Sequence, residues 1–199
     1  MADRRCKVVC VGTTRAGKSS LVQAFLYGYM SREYAGTVGV EFHSKTVFLP
    51  DGPVRLQLWD TAGHERFSAL VPTYLKSAEA VLLTFDLTDR ASFDEVTQYA
   101  ELIAKHAVGL APTRVLVLGN KSDLDDQRQV SHQEAAAKSI ELGYDYMEVS
   151  ATQPTNVVRC FRHLVAQVVA PDGRLEPTCM SRLRSPCSPS LISGPKRRS

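Results

Sequence analysis

The chain has 199 residues, 44% of them apolar, which is enough for one domain with a buried core and excludes disorder throughout. Lysine plus arginine number 24 against 21 acidic residues, but six cations (Arg174, Arg182, Arg184, Lys196, Arg197, Arg198) and two acids (Asp172, Glu176) lie in residues 171–199. The other 18 cations and 19 acids leave residues 1–170 near neutral, which argues against a nucleic-acid-binding face on the fold.

In chain order, "MADRRCKVVCVG" has too short an apolar run to be a signal peptide, and no stretch reaches bilayer length, so synthesis and folding in the cytosol are expected. Near-continuous apolar runs at 6–12, 80–87 and 114–120 predict strands buried on both faces. The runs 40–49 and 54–60 flank "PDGP", whose Asp-Gly pair signals a hairpin turn, and "YDYMEVS" at 144–150 supplies a sixth strand. Between them, "SSLVQAFLYG" is helical, and Phe93, Val96, Ala100, Ile103 and Ala107 recur at helical steps behind a Ser92/Glu95 capping box. Ser131 and Glu134 repeat that device before "AAAKSIEL". A last helix carries Val157, Val158, Phe161, Leu164, Val165 and Val168 inward. This pattern predicts an α/β fold: a six-stranded, mostly parallel sheet with one antiparallel edge strand and helices on both faces. Residues 1–170 form the domain, and 171–199, rich in Pro, Ser and Arg, form a disordered basic tail. Cys6, Cys10 and Cys160 are read as small buried apolar residues.

"GTTRAGKS", residues 12–19, matches G-x-x-x-x-G-K-[ST] between a strand and a helix, the context of a P-loop NTPase. Thr14, Arg15, Ala16, Gly17, Lys18, Ser19 and Ser20 would wrap the phosphates with successive backbone N–H groups and the helix N-terminus. Lys18 would reach the outer phosphates, and the Ser19 hydroxyl would bind a magnesium ion bridging two phosphate oxygens. "NKSD" (120–123) and "SAT" (150–152) follow strands, at the sheet edge where ligands bind. A carboxylate at Asp123 accepts from both the ring N–H and the exocyclic amine of guanine, and adenine offers no such pair. Asn120 would meet the imidazole edge and tie loops together, the Lys121 stem would lie along the ring, and Ser150, Ala151 and Thr152 would line the base, the Ala151 N–H meeting its carbonyl.

Residues 6–169 resemble a small GTPase of the Ras superfamily, and more closely a Rab, through "VGVEF" (38–42), "RLQLW" (55–59), "RFSAL" (66–70), "YLKSA" (74–78) and "LTFDLT" (83–88). All five are expected in or around the segments that change with nucleotide. "SKTVFL", "VRLQLWDTAG", "LVPTYL" and "RQVS" further resemble the Rab branch of Golgi retrograde traffic. The resemblance implies GTP and GDP as ligands, Mg2+ as cofactor, and a switch in vesicle traffic. Its implied partners are an exchange factor, a TBC-type activator and GTP-dependent effectors, acting on a monomer. It also implies Ser19, Thr37 and Asp60 at the metal, with Thr37 and the Gly63 N–H reading the γ-phosphate. Tyr34 covers the phosphates, and His64, Gly63, Lys18 and Thr37 stand at the reacting centre.

Four positions depart from that pattern. His64 replaces a glutamine that orients water; imidazole cannot present a donor and an acceptor side by side, so slow unassisted hydrolysis is expected unless the ring swings into solvent. Arg15 replaces a glycine, which demands either a local backbone adjustment or a cation leaning across the γ-phosphate. Met30 stands where an aromatic flanks the base, so either Tyr29 substitutes or the base is held more loosely. The sequence ends "GPKRRS", with Cys179 and Cys187 well inside, and so carries no prenylation signal. Palmitoylation of either cysteine, an alternative tail and a cytosolic protein stay open, with weak contact of the basic tail with a Golgi or vesicle membrane at most.

Overall fold

The computed structural model describes residues 4–29, 36–49, 52–63, 70–109, 111–152 and 154–170. The strands are β1 (Arg4–Val11), β2 (Val40–Leu49), β3 (Gly52–Thr61), β4 (Ala80–Asp86), β5 (Arg114–Asn120) and β6 (Asp145–Glu148). They form one six-stranded sheet in the order β2-β3-β1-β4-β5-β6. Only the β2–β3 pair is antiparallel; β1–β3, β1–β4, β4–β5 and β5–β6 are parallel. The expected architecture is therefore the observed one. All seven residues of β4, "AVLLTFD", are buried, as a strand covered by helices on both faces requires.

The helices are α1 (Lys18–Tyr27), α2 (Val71–Leu75), α3 (Arg90–Asp94), α4 (Val96–His106), α5 (His132–Glu141) and α6 (Pro154–Val169). Alternate strand residues feed two cores. On one face Val8, Leu58, Leu82 and Leu118 meet Leu21 and Phe25 of α1 and Val157, Phe161, Leu164 and Val165 of α6. On the other, Val9, Val81, Phe85 and Val117 meet Leu75 of α2, Val96, Ala100 and Ile103 of α4 and Ala135 of α5. Cys6, Cys10 and Cys160 are free and buried, and burial pushes the Cys6 and Cys160 thiols up to about 12 and the Cys10 thiol well above its ordinary value, so they act as small apolar groups.

The expected helix over 92–107 is corrected to two. The first is capped by Asp89, whose carboxylate accepts from Ala91 N at 3.1 Å. Ser92 lies inside α3, its hydroxyl accepting from Asp86 N at 2.9 Å and donating to Asp89 O at 2.7 Å, so it is not free to cap a helix. Ser131 does cap α5, accepting from Glu134 N at 3.2 Å.

Candidate nucleotide site

Parallel strands bring their C-terminal ends to one edge, so the loops after β1, β3, β5 and β6 converge there, next to where the chain reverses direction across the sheet at β1 and β4. Residues 12–17 turn from β1 into α1. Gly17, the last of them, has φ 88°, and a Cβ on it would sit 2.2 Å from Asn120 Nδ2. Only glycine satisfies both conditions. Lys18 is 5% exposed, and its ammonium donates to Gly12 O at 3.0 Å and Thr13 O at 2.7 Å. Burial pulls its pKa down to about 8, against the opposing field of the Asp60 carboxylate.

Ser19 and Thr37 come together from the two sides of this edge, with Oγ and Oγ1 2.6 Å apart. Beside them Asp60 is 1% exposed; burial raises its carboxyl above the usual range, opposed by a hydrogen bond from Ser19 and by the Lys18 charge. Asp60 Oδ1 is buried with no hydrogen-bond partner among the described residues. No group of three His, Cys, Asp or Glu side chains among the described residues could hold an ion by itself. Two hydroxyls and one orphaned carboxylate oxygen therefore suit a hard divalent cation that takes its remaining ligands from phosphate and water. Segments 36–39 and 61–63 are joined by Ala62 N donating to Gly39 O at 2.9 Å. A Cβ on Gly63 would lie 2.5 Å from Lys18 Nζ and 2.4 Å from the Thr13 carbonyl carbon, so the main chain at 63 sits directly against the phosphate loop.

At the other end Asn120, 1% exposed, donates from Nδ2 to Ala16 O at 2.8 Å and ties the loop after β5 to the phosphate loop. Its Oδ1 is buried without a partner among the described residues, as is Thr13 Oγ1. Such atoms cost about 1–3 kcal/mol each when left unmet. Ser150 donates from Oγ to Asp123 Oδ1 at 2.5 Å and accepts from Thr152 N at 3.1 Å, so the loop after β6 orients the Asp123 carboxylate. Ala151 is buried and Thr152 exposed. Lys121 has φ 65°, and its ammonium lies 2.5 Å from Asp86 Oδ2.

The structure thus gathers Lys18, Ser19, Thr37, Asp60 and Gly63 into one cluster and Asn120, Lys121, Asp123, Ser150, Ala151 and Thr152 into another, joined through Ala16 and Gly17. Thr14 is exposed and Ser20 half-buried. Arg15 is also exposed, with φ 61°, a conformation that favours glycine, and makes no hydrogen bond or ion pair to another described residue. Met30, Tyr34, His64, Cys179 and Cys187 lie outside the described residues. The sequence gives no sign of the buried Thr13 hydroxyl or of the Asp86 carboxylate paired with Lys121, because neither belongs to a local pattern that names its partner.

A model of the Ras family matches residues 7–170. The chain belongs to the Ras family. As a Ras-family protein it is a small GTPase, a nucleotide-dependent switch that binds GTP and GDP, and its sheet is that of the P-loop NTPases. No described helix of this Ras-family chain is long and apolar enough to cross a membrane.

Proposed function

We propose that this GTPase is a Rab-type switch in vesicle traffic of the Golgi kind, with a domain over residues 1–170 and a basic tail beyond it, and that its unassisted hydrolysis is slow. The observation that carries the guanine reading is the bond from Asn120 to Ala16, which places the carboxylate held by Ser150 at a set distance from the phosphate cradle. Asp123 accepts from the two guanine donors, Asn120 Oδ1 faces the imidazole edge, the Lys121 stem covers the ring and the Ala151 N–H meets the carbonyl. Residues 14–20 supply N–H groups to the phosphates, and Lys18 spreads its charge over the outer ones. Ser19, Thr37 and Asp60 would hold Mg2+, which when bound neutralises charge on the terminal phosphates. The N–H groups of Thr37 and Gly63 read the γ-phosphate, and Tyr34 covers it. Loss of that phosphate releases both segments, and the bond between Ala62 and Gly39 links the two releases.

By the family resemblance, His64 takes the place of the glutamine that orients the attacking water. Imidazole offers its donor and acceptor on opposite edges of a ring, so it orients water less well than an amide would. An activator that brings its own glutamine and arginine would restore turnover. Titration calorimetry with Mg2+ present should show heat for GDP and none for ADP, and Asp123→Asn should abolish that preference; no heat for GDP would overturn the guanine reading. In single-turnover hydrolysis His64→Gln should run about tenfold faster than the wild type, in the range one positioning group supplies. Equal rates would remove the role given to His64.

A further inference from the structure

One of the five stretches that resemble Rabs, "LTFDLT" (83–88), begins in the strand that pairs with β1. It ends β4, two strands from the edge hairpin, and its last residues support the loop after β5. Asp86 pairs with Asn120 in the β4–β5 register. Leu87 N donates to Asn120 O at 3.0 Å, and Leu87 O accepts from Gln129 N at 2.9 Å and Val130 N at 3.2 Å. The Asp86 side chain is 8% exposed. Its Oδ1 accepts from Thr88 N at 2.9 Å and Thr88 Oγ1 at 2.7 Å, while Oδ2 takes the Lys121 ammonium at 2.5 Å.

Lys121 is a non-glycine residue in the left-handed region, a conformation that persists only where the surroundings over-determine it. It lies between Asn120 and Asp123, the two residues that carry the base reading. A buried carboxylate with two fixed donors on one oxygen and an ammonium on the other is such a determinant, because removing either charge strands its partner. We propose that Asp86 is a positioning residue of the guanine site: by anchoring the Lys121 ammonium it holds the 120–123 loop in its strained shape and sets the lifetime of bound nucleotide. This rests on the guanine reading above.

The test is the release rate of a fluorescent GDP from the full chain, compared among wild type, Asp86→Asn, Lys121→Met and the double variant. Asp86→Asn keeps the shape and the acceptor for Thr88 but removes the anchor, and release should speed up about tenfold, within the coupling range of contacting residues. In the Lys121→Met background the same change should add nothing. Unchanged release in Asp86→Asn, or rate factors that multiply in the double variant, would overturn the proposal. A purely structural role for Asp86 gives the multiplying result. Should Asp86→Asn not fold, Thr88→Val loosens the carboxylate without removing it; release about threefold faster, only when Lys121 is present, supports the anchor, and an equal effect in both backgrounds overturns it. Wild type that fails to bind GDP would instead sink the guanine reading itself.

Discussion

Lys18 is the residue whose environment makes the sharpest statement. Burial has moved its pKa from 10.5 down to about 8, so above pH 8 the nucleotide-free folded protein gives up a proton that the unfolded chain keeps. The sign follows from proton counting. Between about 8 and 10.5 the unfolded state binds more protons, so stability of the nucleotide-free protein rises with pH across that window. Phosphate next to Lys18 favours its charged form, so binding GDP takes up a proton there. Affinity should be flat below pH 8 and fall above it by up to about tenfold per pH unit. Calorimetry in buffers of different ionisation heat at pH 9 should report proton uptake near one per nucleotide, and none at pH 7. Arg15 gives a second test at this scale. Its φ of 61° costs an L-residue about 1–2 kcal/mol, part of which the looser unfolded chain of a glycine variant cancels. Arg15→Gly should raise the melting temperature by about 2–4 °C; no rise would mean that the arginine stabilises the loop in another way. The motif residues Lys18, Asn120 and Asp123 were legible because each holds a fixed place in a short motif at the end of a strand. Asp86 was not, since its effect passes through a lysine 35 positions away, and a carboxylate at a strand end has many meanings until its partner is known.

At the scale of elements, strands were readable from apolar runs and the hairpin from Asp-Gly, because a buried parallel strand has no polar face to blur the pattern. Helix starts were less so. Asp89 and Ser92 both suit a cap, and tertiary contacts chose between them: the Ser92 hydroxyl is engaged with β4, leaving Asp89 to cap α3. The α1–α6 contact was likewise invisible as a pair, although the apolar face of α6 was evident. There Phe25 and Phe161 stack with centroids 4.0 Å apart and planes 10° apart, and both are buried. Lys45 of β2 donates to Leu26 O at 3.0 Å and lies over the Phe25 ring, tying the far end of α1 to the sheet. The loop of residues 12–17 leads straight into α1, so this packing fixes the helix whose N-terminus would face the phosphates. Phe161→Ala should cost about 3–5 kcal/mol in urea unfolding, through lost transfer energy and a cavity. Phe161→Leu should cost clearly less. Equal losses would mean that the site collapses around either side chain.

For the whole molecule, the decisive feature is that the groups at the site come from loops between residues 12 and 152, on both sides of the sheet's point of reversal. The uneven charge of body and tail, the six-stranded mostly parallel sheet and a loop-tying role for Asn120 could be read from sequence, but not that its partner is Ala16, 104 positions away. A nucleotide spanning both clusters would cross-link the fold that builds them. It would meet buried atoms without a partner among the described residues, Asp60 Oδ1 by way of a cation and Asn120 Oδ1 at the base edge, so its removal should lower stability beyond the loss of a surface contact. At a thousandfold excess over the dissociation constant, binding to the folded state alone contributes about 4 kcal/mol. For a domain of this size that is about 8–16 °C in melting temperature. Chelating the divalent ion and removing nucleotide by gel filtration should therefore lower the melting temperature by about 10 °C. Adding GDP with Mg2+ should restore it, and ADP with Mg2+ should not. Recovery with ADP equal to that with GDP would show that the phosphate cradle alone cross-links the fold and that the Asp123 carboxylate does not select the base.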